Sequence, residues 1–128
     1  MAGQTPTEIN SYIAGAAITG RRIVKWGAAD GQVVTGAGAG AAEFLMGIAT
    51  NISVVAGEPV DIIQGGICDV EYGGTVTRGQ PLTSDATGRA VVAAPAAGAN
   101  NRIVGFAEVS GVVGDIGGCR LGIGFMQG

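Results

Sequence analysis

The chain has 128 residues, a formal net charge of −3 and 25 glycines, with 47% hydrophobic but only 13% charged residues. This length fits one domain, and the acidic balance argues against nucleic acid as a partner, because neutralising phosphates requires clustered Lys and Arg. The sequence contains no histidine, which excludes Ser-His and Cys-His catalytic pairs and imidazole metal ligands. We therefore expect a protein that is not an enzyme, with no cofactor, metal or small-molecule substrate.

The first ten residues, MAGQTPTEIN, show no periodicity and lack the basic region and apolar run of a signal peptide. We predict an extended N-terminal arm over residues 1–10, ordered only by a partner, followed by a single β domain over residues 11–128. No apolar stretch is long enough to cross a bilayer. We therefore expect a cytosolic origin and no membrane partner.

From residue 17 onward, short apolar runs alternate with glycine-containing turns every 8 to 12 residues, which is typical of sandwiches and barrels. Because glycine weakens a helix interior by about 1 kcal/mol per site, long helices are disfavoured. The fold prediction is all-β, as a small β-barrel. The predicted runs lie at 17–18, 23–26, 33–34, 44–49, 52–55, 60–63, 67–72, 91–92, 103–109 and 119–125.

Two segments, about 28–63 and 85–121, resemble each other and predict two internally related halves. Gly31 aligns with Gly88 and Val34 with Val91, and one inserted residue later Gly47 aligns with Gly105. Further on, we align residues 61–63 with residues 119–121. Each copy then contains a turn, a strand, a loop of small residues and two further strands.

The stretch GAGAGAAE at 36–43 has the form of a phosphate-binding glycine turn. The second copy has AAPAAGANN at the corresponding place, with proline for the middle glycine, and no helix is predicted to follow the first copy. The sequence therefore predicts a surface loop before a strand at 44–49, and nucleotide binding is disfavoured.

The remaining candidates for chemistry have simpler structural interpretations. Asp69 and Glu71 lie on one face of a predicted strand, where a solvated face is favoured over an acid-base pair. Cys68 and Cys119 have no metal-binding spacing, and we predict two buried free thiols rather than a disulfide.

The segment VTRGQPLTSDATGRAVVA from Val76, followed by RIVGFAEVSG, resembles the decoration or cement proteins of tailed-bacteriophage heads. The likeness spans roughly residues 12–125. The matching positions are Gly73, Gly74, Gly79, 81–85, 88–91 and 104–107, with 14–18, 22–24 and 56–61 similar to the opening strands and a turn of that family.

The resemblance implies a β-tulip-like fold and a structural role. Such a protein binds the outer surface of the mature capsid in the virion, commonly as a homotrimer, and stabilises contacts between major capsid protein subunits after assembly in the host cytoplasm. We expect the arm to become ordered on the coat protein or on a neighbouring copy. The predicted contact residues are Thr5, Pro6, Ile9, Tyr12, Arg21, Arg22, Lys25 and Trp26.

Two alternatives remain open at this point. Another phage structural component, such as a head-fibre base or a minor tail protein, fits the same features. A lipoyl-like carrier or ligand-binding β-barrel also has two related halves, but it requires a modifiable lysine at a hairpin tip. The single lysine, Lys25, lies in the strand-like run IVKW.

Overall fold

The computed structural model describes residues 4–128, which form one sheet of nine strands and a 3-10 helix at Gly40–Ala42. The all-β prediction is confirmed, and residues 4–128 contain no helix long and apolar enough to cross a bilayer. The strands are β1 (Thr5–Ala14), β2 (Ile23–Trp26), β3 (Gln32–Thr35), β4 (Leu45–Ala49), β5 (Pro59–Glu71), β6 (Pro81–Ser84), β7 (Ala90–Val92), β8 (Asn100–Ala107) and β9 (Ile116–Gln127).

The strand order is β1-β3-β2-β4-β5-β9-β8-β6-β7, and β1 also pairs with β5. The first five strands therefore close into a ring, and β5 joins this ring to the second half through β9. The ring encloses a cluster of buried side chains that we call the ring core: Ala14, Ile18, Val24, Val33, Met46, Ala49, Val60 and Ile62.

A second cluster, the seam core, lies between the ring and the second half of the molecule, which is formed by β6, β7, β8 and β9. Neighbouring residues of one strand serve both cores: Ile62 faces the ring core and Ile63 the seam core. Strand β4 is buried along its whole length for the same reason, and strands covered on both faces have continuous apolar sequences such as LMGIA. The seam core consists of Ile23, Leu45, Ile48, Ile63, Cys68, Val70, Tyr72, Val76, Leu82, Ala90, Val104, Ala107 and Cys119.

The two halves repeat the same strand pairings. The order β3-β2-β4-β5 in the first half corresponds to β7-β6-β8-β9 in the second. Val24 pairs with Gly47 between β2 and β4, and Leu82 pairs with Gly105 between β6 and β8. The structure therefore extends the internal similarity upstream of the aligned segments, to include β2 and β6.

The alignment of β5 with β9, predicted from the sequence, requires a correction of one residue. Ala49 pairs with Ile62, and its counterpart Ala107 pairs with Cys119. Cys119 thus corresponds to Ile62 rather than to Asp61, as we aligned it from the sequence. Both Ile62 and Cys119 are fully buried whereas Asp61 is exposed, and the alternation of strand faces makes such a one-residue shift unambiguous.

Strand β1 runs through the predicted boundary between arm and domain at residue 10. Thr5 to Ile13 pair antiparallel with Ile67 to Pro59 of β5 in the same chain, so this segment is ordered without a partner, unlike our expectation. The side chains of residues 5–11 are nevertheless exposed, because this part of β1 is attached mainly through its backbone. Residues 1–3 of the predicted arm lie outside the described residues.

Candidate interaction surface

The motif TSDATGRA forms the turn between β6 and β7, and its residues have structural roles. Asp85 accepts hydrogen bonds through Oδ1 from the backbone N–H groups of Thr87 and Arg89, each at 2.9 Å. Gly88 has φ +82°, a conformation that glycine adopts without strain. The turn then docks on the first half, because the N–H of Ile23 donates to the Gly88 carbonyl oxygen at 2.7 Å. The string that carries the family resemblance therefore encodes a locked hairpin.

The glycine-rich loop at 36–43 binds a carboxylate of its own chain. Glu43 is buried and accepts hydrogen bonds from the backbone N–H groups of Ala37 (2.6 Å) and Gly38 (3.2 Å), while Lys25 Nζ lies 3.1 Å from its Oε2. Backbone N–H groups arranged in this way can hold an anion. Here Glu43 takes that place, so the loop is a self-contained structural feature, followed by the predicted strand.

The predicted contact residues of β1 lie on an accessible surface. Thr5, Pro6 and Ile9 are exposed, and Ile9 remains 50% accessible. Further along the strand, the half-buried Tyr12 packs edge-to-face against Trp26, with ring centroids 5.4 Å apart. The role of these residues in binding a partner stays a prediction.

The three predicted basic contact residues are engaged within the chain or partly buried. Arg22 pairs with Glu71 at 3.3 Å, and Lys25 pairs with Glu43. Arg21 is partly buried and has φ +60°. Lys25 lies inside β2, where it pairs with Val34 and Leu45, so the modifiable hairpin-tip lysine of the lipoyl-like alternative is missing.

Sequence reasoning missed an aromatic surface on the ribbon formed by β8 and the end of β9. The Arg102 guanidinium lies 4.4 Å from the ring centroid of Phe44 and 4.2 Å from that of Phe125. Both rings are more than half exposed, and Ile123 beside them is 44% exposed. The alternation of Leu121, Ile123 and Phe125 was the available signal, since Leu121 packs on the seam core while the next two project beyond it.

The end of the ring near residues 50–61 carries another small apolar surface. Ile52 and Val55 are 65% and 60% exposed, and Ile52 lines a cavity of about 200 Å³ together with Val60 and Asp61. Pockets for small ligands are commonly larger, about 300–1,000 Å³. This end of the molecule is therefore better suited to a surface contact than to enclosing a ligand.

The two cysteines lie at the junction between the halves. Cys68 of β5 and Cys119 of β9 are direct cross-strand partners, and both are buried free thiols, as the sequence predicted. Burial raises the pKa of each thiol to about 12. Neutral thiols of this kind pack as small apolar groups and are poor nucleophiles.

Comparisons with known proteins identify the fold. No family model matches the sequence, and no curated protein is similar to it. The chain is similar in structure to the head fiber gp8.5 N base of bacteriophage phi29, with a TM-score of 0.66 and 15% sequence identity. The match covers 90% of this chain and 93% of that chain. The molecule therefore has the fold of a phage head-fibre protein along nearly its whole length.

Proposed function

We propose that this chain is a non-enzymatic structural protein of a phage virion. It binds the outer surface of the mature head and stabilises contacts between major capsid protein subunits, as a decoration or cement protein. The observation that carries the proposal is the fold shared with a phage head-fibre base over 90% of the chain. The hairpin at Asp85 supports it, because the residues that resemble decoration proteins have a structural role there: they lock a turn.

The physical basis of such a role is linkage. A protein that binds only the assembled shell stabilises that shell by RT ln(1 + [L]/Kd), which is about 2.7 kcal/mol per site at a hundredfold excess over Kd. Repetition of the site by capsid symmetry multiplies this modest free energy over the whole lattice. A compact sheet with 13% charged residues and several exposed apolar groups is suited to such repeated contacts.

The direct test is to add the purified chain to heads of its own phage that lack it. We expect saturable binding to the outside of expanded heads, density for the chain on the capsid surface by electron microscopy, and a higher temperature of head disruption. Density on the tail alone, or absence of binding to heads, would contradict the proposal.

The predicted contact face can be tested with a matched pair of variants. Trp26 and Phe106 are exposed to similar extents, 45% and 43%, but only Trp26 belongs to the predicted contact residues. We expect Trp26→Ala to weaken head binding by about tenfold or more, as for an aromatic interface anchor. Phe106→Ala should leave binding unchanged. Equal effects of the two substitutions would show that the contact face lies elsewhere.

A head-fibre base is the second candidate, and the similarity to the phi29 head fiber base favours it specifically. A fibre base also occupies the head surface, but it anchors a further component and need not strengthen the shell. Heads with and without the chain distinguish the two roles. Unchanged thermal disruption, together with loss of a projecting fibre, would assign the chain to the fibre base.

A further inference from the structure

The repeated pairings reveal a strand position that is filled in the first half and open in the second. In the first half, β5 has β4 on one edge and β1 on the other, since Ile63 pairs with both Ile48 and Ile9. In the second half, β9 has β8 on the corresponding edge, and its other edge pairs with β5 only as far as Arg120. Within residues 4–128, no strand pairs with this second edge over 121–127.

The register of the repeat shows which first-half contact is missing. Ile62 corresponds to Cys119, so Gly65 corresponds to Gly122. Gly65 pairs with Glu8 of β1. The position beside Gly122 is therefore the one that β1 occupies in the first half.

The two glycines differ in what surrounds them. A Cβ at Gly65 would lie 2.9 Å from Thr7 Oγ1, so the covering strand explains why a glycine is present. A Cβ at Gly122 would meet nothing within 4 Å, and Gly122 does not have the positive φ that favours glycine. A glycine inside a strand often marks a bulge or a place where another backbone approaches closely; Gly122 lies where the β8–β9 register shifts, and it leaves room for a further strand.

The open edge carries no charge and no proline to keep it apart from other strands. Residues 121–127, LGIGFMQ, contain neither, whereas monomeric proteins commonly protect such edges with Lys or Pro; the one irregularity is a shift in the β8–β9 register between Leu121 and Gly124. Ile123 and Phe125 are exposed beside it. Its unpaired N–H and C=O groups form a template on which an extended backbone can pair.

We propose that the β9 edge at 121–127 pairs with the outer edge of β1 from a second copy of this chain. Among the described residues, no strand pairs with that outer edge over residues 5–12, since β3 pairs with β1 only at Ile13 and Ala14. The two edges have similar lengths, and Glu8 is the single charged residue between them. Charge repulsion therefore does not oppose their pairing, and one contact satisfies both edges.

This inference specifies the surface for the self-association included in the proposed function. The contact joins two different edges, so it can repeat around a closed ring. Its test uses the purified chain alone. The purified chain can therefore fail to self-associate although it binds heads, or it can self-associate although it does not bind heads.

The experiment compares two glycines of the same strand face by analytical ultracentrifugation. Gly124 also faces open space, but by the same offset it corresponds to Ile67, a residue with a side chain that pairs with Thr5 of β1. We expect the full chain to self-associate, Gly122→Val to weaken association by about tenfold or more, and Gly124→Val to have little effect. Unfolding at low concentration verifies that both variants fold.

A complementary variant tests the identity of the partner edge. Thr7 lies at a bulge of β1 and has no partner in the register with β5, so Thr7→Pro removes a backbone donor from this edge, and unfolding at low concentration verifies that the ring still forms. We expect Thr7→Pro and Gly122→Val each to be monomeric, and their mixture to form a 1:1 heterodimer by native mass spectrometry.

A monomeric full chain, equal effects at both glycines, or a mixture that stays monomeric would overturn the proposal. It would also be overturned if Gly122→Val weakened head binding without altering self-association, because coat protein would then cover the edge.

Discussion

The two halves of the molecule share one set of strand pairings, but only the first half closes into a ring. In the first half, β1 pairs with β5 and with β3, which closes the ring around its own core. In the second half, β9 has no equivalent covering strand beyond Arg120 among the described residues, and its ribbon exposes Ile123 and Phe125. Closure of a sheet removes its edges, whereas an open copy leaves backbone groups available to another chain. The same repeat thus closes a ring in one half and leaves an exposed strand edge in the other.

The largest expected effect comes from the strand that both halves share. Ile62 and Ile63 are adjacent on β5, and they are buried in the ring core and the seam core respectively. We expect Ile62→Ala and Ile63→Ala each to lower the free energy of unfolding by about 2–5 kcal/mol, because each leaves a cavity. Urea denaturation measures both. A cost below about 1 kcal/mol for either one would mean that its core is not needed for the fold.

The next prediction compares two glycines of the second half. A Cβ at Gly105 would be forced against the backbone carbonyl oxygen of Arg120, whereas one at Gly122 meets nothing within 4 Å. Gly105→Ala should therefore cost about 1–3 kcal/mol through overpacking. Gly122→Ala should be neutral or stabilise a dilute, monomeric sample by about 0.5 kcal/mol. Similar unfolding midpoints for the two variants would contradict the described packing of β8 against β9.

Much of this architecture was predictable from the sequence, and the failures have physical reasons. The strand at 44–49 followed from continuous apolar residues, and the free thiols from the absence of a metal-binding spacing and the expected cytosolic origin. The sequence of residues 5–10 predicts a free arm, because a strand attached by backbone hydrogen bonds needs no hydrophobic alternation and leaves no such pattern to detect. The stacking of Arg102 between Phe44 and Phe125 depends on residues more than 20 positions apart, and no local pattern encodes that contact.

The small-residue loops of the two halves provide a third comparison. Glu43 fixes the first loop through two backbone N–H groups and Lys25, whereas the corresponding second loop, AAPAAGANN, contains no charged residue. Glu43→Ala removes the charge-assisted hydrogen bonds that two backbone N–H groups and Lys25 make to a buried carboxylate, so we expect a loss of about 2 kcal/mol in the free energy of unfolding. Ala96→Ser in the second loop is the control and should change stability by less than about 0.5 kcal/mol. Equal stability of the two variants would show that Glu43 does not fix its loop.

The thiols at the junction predict a loss of stability in alkaline solution. Burial raises the pKa of Cys68 and Cys119 from 9.0 to about 12. Between these values the unfolded chain releases thiol protons that the folded chain keeps, so stability falls as pH rises above 9. The slope is at most about 1.4 kcal/mol per pH unit for each thiol.

Urea unfolding of the native chain and of the Cys68→Ala/Cys119→Ala variant between pH 8 and 10.5 measures this slope. The double variant should show a shallower loss of stability with pH. At pH 8, a thiol reagent should label the native chain only slowly and the denatured chain at both positions. Rapid labelling of the native chain would show that the junction opens readily.

The smallest expected effect separates ion pairs that join the halves from those within one half. Glu71 of β5 pairs with Arg22 of the first half and Arg89 of the second, each at 3.3 Å, and all three side chains are less than a third exposed. The pair of Glu108 and Arg120 lies within the second half, and Arg120 is 60% exposed. Exposed pairs contribute little because solvent screens them.

We therefore expect Glu71→Gln to cost about 1 kcal/mol of unfolding free energy and Glu108→Gln less than about 0.5 kcal/mol. The difference should shrink in 1 M salt, where the screening length is about 3 Å. If both substitutions cost the same at every salt concentration, the halves are held together by the apolar seam alone.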